Sequence, residues 1–199
     1  MKRITGLILF LIALTVFVLN AYAESEQKAI ASSVLRFHVV AQSNSEKDQE
    51  IKLKVRDAVL KETSHLFKDV KSKKEALGIA EENKGIILEV AEKTLREEGC
   101  NRPVTVSIGK EAFPLKYYEN IRLPSGEYDS VSIKIGDAKG KNWWCVMYPV
   151  LCFSESTSGK LDSKGEERMK TELGEERFRL ISDKEDTKIR IKFKILELF

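Results

Sequence analysis

The residues able to do chemistry are few: three cysteines, two histidines and two tryptophans in a chain of 199 residues. Two of the cysteines and both tryptophans fall in Lys141–Phe153, which reads KNWWCVMYPVLCF. A zinc site needs about four ligands at suitable spacing. Cys145 and Cys152 have no histidine nearby, and the chain holds no CxxC or HExxH, so no metal is expected. No glycine-rich phosphate loop occurs, and no cofactor is expected. Nucleophilic catalysis lacks a GxSxG elbow. Cys145 with His38 could form a thiol–imidazole pair, but His38 alternates with Leu35, Phe37 and Val39 and reads as the wet side of a strand. His65 closes a helix, where a positive charge complements the dipole. Acidic pairs are too common in this sequence to diagnose glycosidase chemistry.

The cysteine pair can be redox-active or structural. Redox pairs are usually closer and rely on a helix start to lower the thiol pKa. Cys145 instead lies on an expected strand among aromatics, which favours a structural disulfide to Cys152 across the turn at Pro149. Closing so short a loop contributes roughly 2–3 kcal/mol in the chain-entropy model. Cys100 is then the odd thiol. On a strand Trp143 and Trp144 point to opposite faces. Each can be core, and one of them can be an exposed anchor for a protein partner.

The elements that place these residues begin with a targeting segment. Met1-Lys2-Arg3 precedes an apolar run from Ile4 to Leu19, then Ala21-Tyr22-Ala23. This is expected to be a secretory signal peptide over 1–23, cut after Ala23, with an uncleaved anchor as the competing reading. Without Lys2 and Arg3 the net charge falls from +3 to about +1, so nothing in the charge argues for nucleic acid, and none is expected as a partner. An exported chain can keep cysteines oxidised. Residues 24–33 read as a flexible lead, and 34–199 as a single domain with a variable linker near 154–165.

Within that domain, residues 34–41 alternate as a first strand. Ser43 with Glu46 forms a capping box for a helix running to about Phe67. Ser72 with Glu75 opens a second helix running to Glu98, with a weak point at Asn83 and Gly85 and an end at Gly99. Strands follow at Val104–Ile108, Val131–Ile135 and Asn142–Tyr148, with a long connection at 113–126 and a hairpin loop at 136–140. Residues 166–180 suggest a poor helix interrupted at Gly174, and Lys188–Leu196 alternates as a last strand. Helices early and strands late predict an α+β fold: a largely antiparallel sheet of about five strands with two long helices packed on one face.

Two blocks together carry a resemblance. Leu35-Arg36-Phe37-His38-Val39-Val40-Ala41-Gln42-Ser43-Asn44-Ser45, with Asp48-Gln49, Lys52 and Val55-Arg56-Asp57-Ala58-Val59, resembles the N-terminal signature of the stage II sporulation protein R family. Asn142-Trp143-Trp144-Cys145-Val146 through Pro149 and Leu151-Cys152-Phe153 resembles its second signature, and Arg190–Ile195 its last strand. Gln42 and Asn44 stand where the family usually shows Asn and Asp; both keep turn ability.

The resemblance implies a non-enzymatic signalling protein, secreted from the forespore into the space between the two sporulation membranes. It would activate a membrane-embedded aspartic protease that cleaves pro-sigma-E, with no small-molecule substrate. Asp48, Arg56 and Asp57 are then expected at the partner surface, with Trp143 or Trp144 as the central contact. The competing class is a cell-envelope enzyme, thiol–disulfide or hydrolytic.

Overall fold

The computed structural model of the chain describes residues 2–118, 120–149, 152 and 163–182. Helix α1 spans Lys2–Ser33. Strand β1 (Leu35–Val40) follows, then α2 (Glu46–Thr63), which tightens into a short 3-10 turn, Ser64–Phe67. Two helices come next, α3 (Lys73–Glu82) and α4 (Lys84–Glu97). The strands are β2 (Val104–Phe113), β3 (Lys116–Tyr118), β4 (Ile121–Leu123), β5 (Gly126–Ile135) and β6 (Asn142–Tyr148). Helices α5 (Ser163–Leu173) and α6 (Glu175–Ile181) end the described chain.

The fold is α+β, and it differs in detail from the sequence expectation. Among the described residues the main sheet has four strands in the order β2-β5-β1-β6, and β3-β4 form a separate two-stranded sheet. The main sheet is mixed. β1 runs parallel to β5, with Arg36 opposite Ser130, and antiparallel to β6, with Phe37 opposite Cys145. The residues at 136–140 are therefore no hairpin loop. They cross over the end of β1, because β5 and β6 flank that strand instead of pairing with each other. The long connection expected at 113–126 contains strands of its own: β2 and β5 form one long antiparallel pair from Val104↔Ile135 to Phe113↔Gly126, with β3 and β4 inserted at its tip. The expected strand at 188–196 and most of the linker near 154–165 lie outside the described residues, although Ser163 already opens α5.

The helices follow their signals closely. Ser45 caps α2, its side chain accepting from Asp48 N at 3.2 Å, so the cap lies two residues beyond the expected Ser43. Ser72 caps α3 by accepting from Glu75 N, while the Glu75 carboxylate accepts from Lys71 N at 2.9 Å. The second long helix is divided at Asn83, whose side chain donates to Ile79 O and competes with helix continuation. Gly99 ends α4 with φ 63°, a conformation that disfavours a Cβ.

β1 has all six residues buried. Leu35, Phe37 and Val39 face a core built with Val55 and Val59 of α2, Ile87, Ala91 and Leu95 of α4, and Val131 and Ile133 of β5. Arg36 and His38 point the other way and are buried too, 0% and 3% exposed. The expectation that His38 faces solvent fails because β1 is interior on both faces.

The N-terminal segment also departs from expectation. Residues 24–33 are the last turns of α1, not a flexible lead. Ile30 and Ala31 are buried, Lys73 Nζ donates to Ala31 O at 2.9 Å, and Arg177 pairs with Glu26 at 2.8 Å. Arg3–Ser33 is long and apolar enough to cross a membrane, with mean hydropathy 2.5 and no burial in its most apolar window, as a signal sequence or an anchor would be.

Candidate functional site

The two chemically distinctive blocks of the sequence meet where the β1–α2 turn, α2 and β6 converge. At the turn, residues 42–49 clasp the crossover between β5 and β6. Gln42 Oε1 accepts from Asp137 N at 2.6 Å, Gln42 O from Lys139 N at 3.2 Å, and Ala41 O from Gly140 N at 2.9 Å. Asn44 Oδ1 accepts from Lys141 N at 2.8 Å. Gln49 Nε2 donates to Ser43 O at 2.8 Å. A Cβ on Gly140 would lie 2.9 Å from Ala41 O and closer still to Ser43 O, so only glycine lets the crossover approach this turn.

Asp48 belongs to this clasp. It is 4% exposed and accepts from Ser43 Oγ at 2.5 Å and from the Arg102 guanidinium. The Ser43 hydroxyl first, then Arg102, holds its carboxyl below the usual range; burial opposes them. Its carboxylate is thus turned inward, against the expectation of an exposed helix charge.

One and two turns further along α2 lie Lys52 and Arg56. Lys52 is 5% exposed and donates to Gln49 Oε1 at 2.6 Å and Lys141 O at 3.2 Å. Burial pushes its ammonium pKa down, and the charges of Arg56 and Lys141 push it the same way. The Arg56 guanidinium lies over the Trp143 ring, 4.7 Å from its centroid, and Nε donates to Asp57 Oδ1 at 2.7 Å. Trp143 in turn meets Phe37 edge-on, with centroids 6.0 Å apart. Arg56, Asp57 and Trp143 are therefore brought together, with Asp57 at the wet rim (62% side-chain exposure).

Trp144 occupies the opposite face of β6. It stacks on His38, with centroids 4.9 Å apart and an interplanar angle of 4°, and meets Phe113 edge-on at 4.8 Å. Lys116 Nζ sits 5.4 Å from the Trp144 centroid. His38 Nε2 is 2.6 Å from Glu111 Oε2, and Lys134 donates to the other carboxylate oxygen at 2.9 Å. Burial pushes the His38 pKa down, and the Glu111 charge opposes it. Burial pulls the Glu111 carboxyl up, but its bond from Lys134 and the His38 charge outweigh this and hold it low.

Beside this network Arg36 is enclosed by aromatics, its Cζ 4.5 Å from the Phe113 centroid and 5.0 Å from that of Tyr128. It donates to Cys145 O at 3.2 Å and Tyr118 Oη at 2.8 Å. Sequence reasoning placed Arg36 and Lys52 within the family-like block without assigning either a role, and did not single out Glu111. The available signal was Arg36 and His38 amid an apolar run, which suits a strand covered on both faces.

Cys145 and Cys152 form a disulfide, with Cα atoms 5.9 Å apart. Cys152 N also donates to Val146 O at 3.1 Å, so Cys152 lies back against β6. β6 is an edge strand of the described sheet, and the bridge lies beside both tryptophans. Cys145 and His38 cannot form a catalytic pair: Cys145 is opposite Phe37 and His38 opposite Trp144, so the two side chains leave the sheet on different faces. Cys100 is a buried free thiol. Among the described residues no group of three or more His, Cys, Asp or Glu side chains is placed to hold a metal ion.

The family model for stage II sporulation protein R matches residues 31–158, a stretch that includes both blocks. The chain is 35% identical over 146 residues to stage II sporulation protein R of Bacillus subtilis (strain 168), covering 73% of this chain and 65% of that protein. No solved structure matches.

Proposed function

Since the chain belongs to the stage II sporulation protein R family, with the sporulation role that this carries, we propose that it is a signal secreted from the forespore into the space between the two sporulation membranes. There it activates the membrane-embedded aspartic protease that cleaves pro-sigma-E, acting by binding and not as an enzyme. The observation that carries this reading is the corner at which α2 meets edge strand β6. It sets Arg56 and Trp143 side by side at the surface and backs them with a disulfide. A pre-ordered aromatic loses little conformational freedom on docking. Activation follows if the docked protein favours one protease state over another, because a ligand shifts an equilibrium only by its differential affinity.

The apolar helix α1 supports delivery to a membrane, whether as a signal peptide removed after Ala23 or as an anchor. A cell-envelope thiol–disulfide or hydrolytic enzyme is less well supported. Cys145 is tied in the disulfide, and His38 is committed to Glu111 and Trp144 on the other face.

The test is co-expression of the full chain, the protease and the sigma-E precursor in a host that does not sporulate. Processing is expected only when all three are present and the chain is exported. Equal processing with and without the chain would overturn the proposal.

A further inference from the structure

Lys52, Arg56 and Lys141 act on one another electrostatically, with Arg56 over the Trp143 ring, and carry an excess of positive charge that the described fold does not balance. Buried charges are ordinarily paired, because desolvation without a counter-charge is costly. Lys52 is 5% exposed, yet its two acceptors, Gln49 Oε1 and Lys141 O, are neutral. Its neighbours Arg56 and Lys141 add to the positive potential instead of relieving it. Among the described residues the one carboxylate paired with any of these three cations is Asp57, on Arg56. Asp48, one turn back on α2, is engaged by Arg102 and Ser43.

We infer that this corner docks an acidic, extended peptide segment of the partner, a carboxylate lying between Lys141 and Arg56 and an apolar side chain resting on Trp143. The inference rests on the proposed binding role and adds the partner's chemistry. An anionic group here would supply the counter-charge that Lys52 lacks, and its interaction would be strengthened beside the apolar Trp143 ring. A nucleic-acid backbone is a poorer match. It asks for a longer stripe of cations, whereas this patch holds three and is bounded by Asp57. Opposite charges at a rim mainly set encounter rate and partner choice. Binding should therefore weaken as salt shortens the screening length to about 8 Å at 0.15 M.

The test uses the full chain and three probes: a hexaglutamate peptide ending in leucine, the matching hexalysine peptide, and vesicles containing phosphatidylglycerol. The variants are Lys141→Glu and Arg56→Gln, with Arg56→Lys as the conservative control. The Lys141 side chain has no partner among the described residues, and the backbone bonds of residue 141 to Asn44 and Lys52 remain in the variant, so it should fold. Its melting temperature is checked against the parent.

The acidic peptide is expected to bind and change tryptophan emission, and the basic one not to. Lys141→Glu should weaken binding at least tenfold, Arg56→Gln several-fold, and Arg56→Lys less. The same order is expected for precursor processing in the co-expression host. Equal peptide binding by parent and Lys141→Glu would overturn the inference, as would binding to vesicles that the variant abolishes while peptide binding persists. If the parent activates the protease and folded Lys141→Glu does so equally, the docking inference alone fails. If the parent does not activate it, the functional reading fails, while the peptide measurement still decides the charge of the occupant.

Discussion

Replacing Gly140 by Ala tests whether the turn after β1 holds the crossover to β6. The added Cβ would lie 2.9 Å from Ala41 O and closer still to Ser43 O. Both are backbone atoms, so no side-chain rotation relieves the contact. The crossover must withdraw, and overpacking of this kind costs about 1–3 kcal/mol. Withdrawal also loosens bonds made there: Gly140 N to Ala41 O, Lys139 N to Gln42 O, Lys141 N to Asn44 Oδ1 and Lys52 Nζ to Lys141 O. Losing one of them adds about 1 kcal/mol, giving roughly 2–4 kcal/mol in total. For a domain of this size each kcal/mol shifts Tm by about 2–4 °C, so thermal unfolding followed by circular dichroism should show a fall of roughly 4–16 °C. Gly78 provides the opposite case. It lies exposed within α3, and a Cβ there would meet nothing within 4 Å. Gly78→Ala should stabilise by about 0.5–1 kcal/mol through helix propensity. A Gly140→Ala protein that melts within a degree of the parent would refute the account of the clasp.

Thiol titration of the denatured, unreduced protein should find one free thiol, Cys100, and three would contradict the Cys145–Cys152 bridge. Replacing both bridged cysteines by Ser should lower stability by roughly 2–3 kcal/mol, read by denaturant unfolding, and weaken signalling without the total loss expected of a catalytic thiol. Trp143→Ala should reduce precursor processing more than its fall in Tm explains, whereas Trp144→Ala, which removes a stack on His38 and an edge contact with Phe113, should act mainly through stability; the two Tm values together with processing in the folded variants distinguish them. Because burial holds the His38 pKa below that of the unfolded chain, the unfolded state takes up the proton first as pH falls. Stability should therefore be full above about pH 6.5 and decline as pH drops below it. His38→Gln should flatten that decline, and an unchanged slope would contradict the assignment.

Local signals were legible in the sequence wherever a residue acts on its own backbone. Ser72 with Glu75, Gly99 and Gly174 marked helix boundaries because capping and positive φ are decided within one turn. The weak point at Asn83 was legible for the same reason. Strand partners were not. Alternation identifies the faces of β1 and β5, but not that β1 would enter between β5 and β6, which depends on pairing far along the chain. That placement buried His38 and Arg36 and turned an expected hairpin into a crossover.

The candidate site was partly legible. The aromatic–cysteine block and Arg56–Asp57 do meet in space, but Asp48 proved to belong to the clasp because Arg102 reaches it from 54 residues away. Residues 24–33 read as polar lead since only Ile30 and Ala31 of that stretch are deeply buried.

The central position of β1 has a consequence for how the chain acquires its shape during synthesis. Arg36 finds its parallel partner at Ser130 and its antiparallel partner at Val146. Roughly 90 residues must emerge after β1 before the first of these can form, and at typical elongation rates of about 5–20 residues per second that takes roughly 5–20 s. In that interval α2, α3 and α4 can coil locally, since their backbone hydrogen bonds close within a turn, but Leu35–Val40 remains an apolar segment without a strand neighbour. The late β2–β5 pair, made from adjacent chain, is the natural nucleus, and β1 must thread beside it afterwards at the entropic cost of a long loop. Sheet assembly is thereby delayed until the C-terminal half exists, so the helices form first and wait for the sheet they cover.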